Sequence, residues 1–367
     1  MFRKHICVLT LLVFFAVVAP AQADKTDDFI KSEMQKQNIP GLSLAVVKDG
    51  QVIKAEGYGL ANMKLKVPAR PETVYRIASV SKQFIATGIM LLVQNGRLTL
   101  DDSITKYLEG APETWKEIKI RHLLTHTSGL VREPPGFNSR KIQSDADVIK
   151  SAYHSPLLFE PGAKHLYSNL GYFALAETIR KISGRSWTEY LNENVFKPSG
   201  MNTTYPTNTK ENVLNRAAAY MDNNKLQEVN DDWPALRPSG AFLSTVLDMA
   251  KWDAMLYTDK VLSSSSRELM WTPARLNDST TYPYGFGWEL GSFKGQRVVY
   301  HGGGGPGIRT KFARFVDNRL TIIVLINLDD VDVDSIVYGI ANIYILARTP
   351  ARTGGDLYVK RGQRLQP

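Results

Sequence analysis

Residues 75–96 read Tyr75-Arg76-Ile77-Ala78-Ser79-Val80-Ser81-Lys82-Gln83-Phe84-Ile85-Ala86-Thr87-Gly88-Ile89-Met90-Leu91-Leu92-Val93-Gln94-Asn95-Gly96. The run from Val80 is apolar at nearly every turn position, and Asn95-Gly96 supplies a stop signal, so a buried helix is predicted over 80–95. Ser79 and Lys82 stand at its start with the spacing S-x-x-K. Positions three apart share a helix face, which brings Lys82 Nζ within reach of Ser79 Oγ. The free N–H groups of a helix start carry a positive field, and that field, with burial, disfavours a charged lysine. A neutral amine there can take the serine proton, and the N–H of Ser79 can face a developing oxyanion. Ser103-Ile104-Thr105-Lys106 has the same spacing but follows Asp101-Asp102 with no apolar helix behind it, so Ser103 reads as a cap.

Outward from this helix, strand signals lie at both ends of the chain. Gly41 to Gly59 reads as a β-hairpin about Asp49-Gly50. Near the other end, 285–290, 297–300, 310–316 and 320–328 are short, β-rich and separated by turn residues. Residues 332–347 read as a closing helix. Between them, 97–240 is mostly helical in pattern; Trp187, Tyr190, Leu191 and Val195 are spaced for one buried face.

Two further motifs carry chemistry. Tyr167-Ser168-Asn169 follows a turn at Phe159-Glu160-Pro161-Gly162; a phenol at a loop tip can relay a proton, and an asparagine offers donor and acceptor to an amide substrate. Tyr190-Leu191-Asn192 repeats the spacing inside an amphipathic helix, where Tyr190 reads as core. His301-Gly302-Gly303-Gly304 follows the apolar run Val298-Val299-Tyr300. Glycines at a strand end admit close backbone approach, and His301 is a candidate for a substrate carboxylate, with an ordinary pKa of about 6.5. On that reading, carboxylate-bearing substrates gain as the pH falls toward 6. Gly302, Gly304 and Gly307 match G-x-G-x-x-G, but Pro306 and a following strand argue against a dinucleotide site. The HGGG run also resembles a lipase oxyanion loop, yet no G-x-S-x-G occurs in the chain. His122 and His126 are four apart without the glutamate of a zinc protease, so they read as structural and no metal or other cofactor is expected.

Composition agrees with an ordinary soluble globular protein. The chain has 367 residues, of which 43% are hydrophobic and 22% charged, which excludes a disordered chain and a multi-pass membrane protein. The formal net charge of +9 comes with no basic stripe interleaved with aromatics, so no nucleic-acid partner is expected. Arg3 and Lys4, the apolar stretch Ile6–Ala19 and Ala21-Gln22-Ala23 read as a secretory signal cleaved before Asp24. Cys7, the single cysteine, leaves with it, so no disulfide or thiol chemistry is expected. The expected product is secreted or periplasmic, with no stable membrane insertion after cleavage. The predicted units are 1–23 (signal), 24–96 plus 241–348 (α/β sheet), 97–240 (helical insert) and 349–367 (a basic, mobile tail). The loop 131–146, rich in Pro, Gly and charge, is expected to rim the site.

These motifs together resemble the serine β-lactamase and penicillin-recognising hydrolases, on the branch of class C β-lactamases, D-alanyl-D-alanine carboxypeptidases, D-aminopeptidases and related esterases. The resemblance runs from about Ile39 to Leu346. It rests on Tyr75 to Lys82, Leu100-Asp101-Asp102-Ser103-Ile104, Arg121-His122-Leu123-Leu124-Thr125-His126-Thr127-Ser128-Gly129-Leu130, Tyr167-Ser168-Asn169, Asp248-Met249-Ala250-Lys251-Trp252 and Tyr284-Gly285-Phe286-Gly287-Trp288, in the family's order. It implies an α/β (α+β) fold of the β-lactamase/transpeptidase type, an antiparallel sheet flanked by helices with a helical domain inserted. It implies Ser79 as acylated nucleophile, Lys82 as its base, Tyr167 as proton relay and Asn169 as substrate contact. His301, Gly302 and Gly303 stand where the family has Lys-Thr-Gly, and the Gly304 N–H becomes the second oxyanion donor. Histidine in place of lysine argues against a dedicated lactamase. The expected substrate is a small molecule or peptide, cell-wall-derived compounds included: an ester, a D-amino-acid amide or a β-lactam. The alternative is a non-catalytic penicillin-recognising sensor of the same fold.

Overall fold

The computed structural model describes residues 20–138, 141–208, 213–229, 237–240 and 242–346. Residues 1–19 of the expected signal, and the chain from 347 with the expected tail, lie outside them. Helix α1 (Pro20–Lys36) includes the backbone of Ala21 to Ala23. Strands β1 (Gly41–Lys48) and β2 (Gln51–Asn62) form the expected hairpin, and both Asp49 and Gly50 take positive φ, at 53° and 76°, as a tight turn between twisted strands requires. β3 (Val67–Pro68), β4 (Tyr75–Arg76) and a 3₁₀ turn (Ala78–Ser81) lead into α2 (Lys82–Gln94).

Short helices follow: α3 (Ile120–Leu124), α4 (Asp145–Lys150), α5 (Asn169–Ser183), α6 (Trp187–Leu191), a π turn (Asn192–Phe196) and α7 (Lys197–Ser199). Three small strands are interspersed where the sequence pattern is helical overall: β5 (Tyr205–Pro206), β6 (Ala219–Asp222) and β7 (Leu226–Val229). β8 (Phe242–Ser244), α8 (Val246–Met255), α9 (Ser264–Met270), β9 (Ala274–Arg275) and β10 (Thr281–Tyr282) lead to the C-terminal strands. These are β11 (Glu289–Phe293), β12 (Gln296–Gly305), β13 (Ile308–Phe315) and β14 (Leu320–Ile326), closed by α10 (Val333–Leu346).

The main sheet is antiparallel in the order β11-β12-β13-β14-β1-β2-β3. The two ends of the chain meet at its centre, where β1 pairs β14 in the register Leu44↔Val324. Both faces are covered, so the central strands read as continuous apolar runs. Leu42, Leu44, Val46, Ile322, Val324 and Ile326 pack with Ile30 of α1 and Ile336, Val337 and Ile340 of α10. Ala45, Val47, Ile323 and Leu325 face the other way and share a core with α2, α8 and α9. On that side Arg314 Nε bonds Asp253 Oδ1 at 2.7 Å and pins α8 to the sheet.

Two sequence expectations shift. Helix 80–95 begins as a 3₁₀ turn and becomes α-helical only at Lys82. The predicted strand 285–290 starts at Glu289 instead. Gly285 to Trp288 form a tight turn, with Gly285 N–H bonded to the Trp288 carbonyl at 2.8 Å. Gly287 (φ 75°) approaches the Lys82 carbonyl so closely that a Cβ there would collide.

Candidate active site

The 3₁₀ turn is fixed from three sides. Ile77 N–H bonds the Phe242 carbonyl at 2.9 Å, Ser81 Oγ accepts from Phe242 N–H at 3.2 Å, and Thr310 Oγ1 donates to the Ile77 carbonyl at 3.1 Å. Gly303 lies against the Ile77 carbonyl and Thr310 Oγ1, where no side chain fits. Ala78, just before the serine, is held at φ 44°, a costly conformation for a residue with a Cβ. This bracing presents Ser79, half-buried, at the edge of β12.

Every residue of α2 from Lys82 to Leu92 is buried, and Lys82 has 0% exposure. Its Nζ lies 3.2 Å from Ser79 Oγ, 3.0 Å from Asn169 Oδ1 and 2.8 Å from the Ser239 carbonyl. Burial first, then the guanidiniums of Arg237 and Arg132, hold its pKa well below the ordinary lysine value; Glu133 and Glu289 oppose this. In the neutral amine, two N–H bonds point at the two carbonyl oxygens and the lone pair faces Ser79 Oγ.

Tyr167 shares a hydrogen bond with Ser79, and its ring lies 4.6 Å from Lys82 Nζ. Burial pushes its phenol up, so it stays protonated. The loop that carries it is backed by residues 126–132. Leu166 N–H bonds the His126 carbonyl at 2.8 Å, Gly162 N–H the Thr127 carbonyl at 2.7 Å and Asn169 N–H the Arg132 carbonyl at 2.7 Å. Ser168 then caps α5 through Gly171 N–H.

Asn169 sits in the site. Its Oδ1 accepts from Lys82, and its Nδ2 donates to Glu133, which also binds Arg237. One N–H and one lone pair of the amide are left over by these bonds. Glu133 lies in the loop expected to rim the site; its role, and that of Arg237, had no motif to announce it.

His301 corrects the sequence reading most clearly. It is 2% exposed, and both ring nitrogens are taken. Nδ1 lies 2.6 Å from the Gly302 carbonyl and so carries the proton; Nε2 accepts from the Tyr284 hydroxyl at 2.9 Å. Tyr284 in turn accepts from His126 Nε2 at 3.2 Å, and His126 Nδ1 accepts from Ser168 N–H at 3.1 Å. Burial above all drives the His301 pKa down to about 3. The ring is neutral at pH 6 and does not become a carboxylate-binding cation there. His126, predicted structural, packs 4.1 Å from the Tyr167 ring.

The decoys fall where expected: Ser103 caps a 3₁₀ turn through Thr105 N–H, and Tyr190 is 8% exposed in the core. Among the described residues, no cluster of three His, Cys, Asp or Glu is placed to hold a metal, and no helix is long and apolar enough to cross a membrane. Ser79, Tyr167, His301, Gly303 and Gly304 line one open cavity of about 880 Å³.

An antiparallel sheet between helical layers, with a serine and a desolvated lysine where a buried helix begins, has the fold of β-lactamase and transpeptidase-like serine hydrolases. The chain belongs to the Beta-lactamase family, whose pattern it matches over residues 26–343. It is 34% identical to penicillin-binding protein 4* of Bacillus subtilis over 317 residues, which is 81% of this chain and 70% of that one. It superposes on the octameric penicillin-binding protein homologue of Pyrococcus abyssi with a TM-score of 0.77 at 29% identity, covering 89% of this chain and 76% of that one. It also superposes on the D-amino acid amidase of Ochrobactrum anthropi SV3 with a TM-score of 0.78 at 23% identity, covering 89% and 100%, a likeness of fold alone.

Proposed function

We propose that the protein is an exported serine hydrolase that works through a Ser79 acyl-enzyme on an ester or a D-amino-acid amide or peptide, with β-lactams as poorer substrates. The observation that carries this is the fully buried Lys82 amine 3.2 Å from Ser79 Oγ with its other two bonds committed to carbonyl oxygens. Ser79 Oγ attacks the substrate carbonyl and its proton passes to Lys82 Nζ. The N–H groups of Ser79 and Gly304 take the oxyanion. Tyr167 gives its proton to the leaving group and recovers one from Lys82. Water then attacks the acyl-enzyme ester; the same pair takes the water's proton and passes it to Ser79 Oγ as the acid product leaves.

The absence of a Lys-Thr-Gly lysine and threonine at His301 and Gly302 supports the lower rank of β-lactams. Export rests on the leader pattern of residues 1–23. A panel of p-nitrophenyl esters, D-alanyl peptides and nitrocefin tests the reading. Turnover of esters or D-amides that Ser79→Ala abolishes is expected; no turnover of any of the three, with no covalent labelling, would overturn it.

A further inference from the structure

The cavity at Ser79 does not end at β12. Gly302-Gly303-Gly304-Gly305 continues this strand beyond the end of β11, and with no side chains in the way the hollow runs past it to the other face of the sheet. Arg309 stands there. It lies opposite Gly304 on β13, and its guanidinium occupies the space that any side chain at position 304 would fill. Among the described residues, its Nε is buried without an acceptor.

Charged neighbours of Arg309 have partners of their own. Lys311 is paired with Asp334 and lies 4.0 Å over the Tyr300 ring. The Glu289 carboxyl is bonded by Tyr300 and the Gly302 backbone. Asp332 accepts from Ser335 N–H at 3.1 Å. Arg132, the other arginine lining the cavity, lies 3.9 Å from Glu133, whereas the Nε of Arg309 is a buried donor without an acceptor. A desolvated guanidinium donor without an acceptor is unfavourable, and a carboxylate matches its planar fork.

We infer that Arg309 is the carboxylate-binding residue of this cleft, and that the glycine edge lets an acidic group of the substrate reach it from Ser79. The inference rests on the proposed Ser79 chemistry and deepens it: the preferred substrates carry a free carboxylate on the part lying along Gly302–Gly305. Gly303 and Gly304 are required by their neighbours, the Ile77 carbonyl and Thr310 Oγ1 against one and the Arg309 guanidinium against the other, and together with Gly302 and Gly305 they leave the strand edge free of side chains.

The test compares matched esters in the full protein. One pair shares a phenylacetyl group and differs in the leaving group, phenol or 3-hydroxybenzoate. The other pair shares p-nitrophenol and differs in the acyl group, butyryl or hemisuccinyl. The expected result is a wild-type preference for the acid in at least one pair. Arg309→Gln should lower that acid-to-neutral ratio of kcat/KM at least tenfold, chiefly through KM, and Arg309→Lys should fall between. A ratio unchanged by Arg309→Gln in both pairs, or a wild type that prefers neither acid, would overturn it. Failure of the underlying chemistry looks different: Ser79→Ala would then hydrolyse the neutral esters as fast as wild type.

Discussion

Lys82 and Glu133 hold the two ends of one side chain: Asn169 accepts from Lys82 Nζ at 3.0 Å through Oδ1 and donates to Glu133 through Nδ2. Asn169 is thereby a strut between the base and a rim carboxylate, and the charges around the strut tune the base. Glu133 raises the Lys82 pKa and Arg237 lowers it. Glu133→Gln, which keeps an acceptor for Asn169, should move the acid limb of the kcat/KM profile to lower pH. Arg237→Ala should move it to higher pH. Shifts of the same sign, or none, would show that Lys82 does not set this limb.

Tyr167→Phe should fold normally and slow turnover by roughly 10²–10⁴-fold, the range for a positioned proton-transfer group. The ring keeps its packing against His126, so only the hydroxyl bonded to Ser79 is lost. Circular dichroism and steady-state kinetics with one ester check this. Activity within a few-fold of wild type would leave Tyr167 a packing residue.

The three residues of the proposed mechanism were legible because each stands at a punctuated point of the sequence. Ser79 and Lys82 open an apolar helix, and Tyr167 follows a Pro-Gly turn and precedes a helix cap. The sheet was legible from β1 and β14, whose apolar runs, interrupted only by Ser43 and Thr321 before Lys48 ends β1, fit strands buried on both faces. What could not be read depends on burial and on neighbours distant in sequence. His301 looks like a titratable side chain at a strand end, and only its burial in the fold makes it neutral. Glu133 and Arg237 sit 104 residues apart and meet only through the fold. Arg309 reads as one more alternating strand residue until the glycine edge opposite it is seen. Residues 285–288 have strand composition, but the close approach of Gly287 to α2 turns the backbone away.

A neutral His301 has a measurable consequence. Its pKa of about 3 lies below any working pH, so the acid-to-neutral ratio of kcat/KM should stay flat from pH 7.5 to 5.5. Stability should not stay flat. His122 and His165 are lowered to about 4 and His301 to about 3, mainly by burial, while the unfolded chain binds these protons near 6.5. Below that value the unfolded state takes up more protons, so the penalty begins near pH 6.5 and grows as pH falls. Tm should drop by several degrees between pH 7 and 5.5, and His165→Gln should shallow the slope. A Tm that rises over this interval would contradict the assignment.

Asp145 gives the opposite sign. Its carboxyl accepts from Trp187 Nε1 at 2.7 Å, and burial pushes its pKa up to about 7. The folded state binds this proton more tightly than the unfolded chain, so the benefit is complete at pH below about 4 and is lost as pH rises through 7. Asp145→Asn keeps an acceptor for the indole and removes the charge. It should raise Tm at pH 8 relative to wild type by more than it does at pH 5, as differential scanning calorimetry would show. An equal shift at both values would mean the carboxyl is solvated.

The most direct test of the central claim is the site of covalent capture. The full protein is incubated with a fluorophosphonate or a slowly released penicillin, digested, and its peptides are mapped by mass spectrometry. One adduct is expected, on Ser79, formed at a rate that falls steeply in Lys82→Ala and absent in Ser79→Ala. An adduct on any other serine, or one that persists in Ser79→Ala, would contradict it.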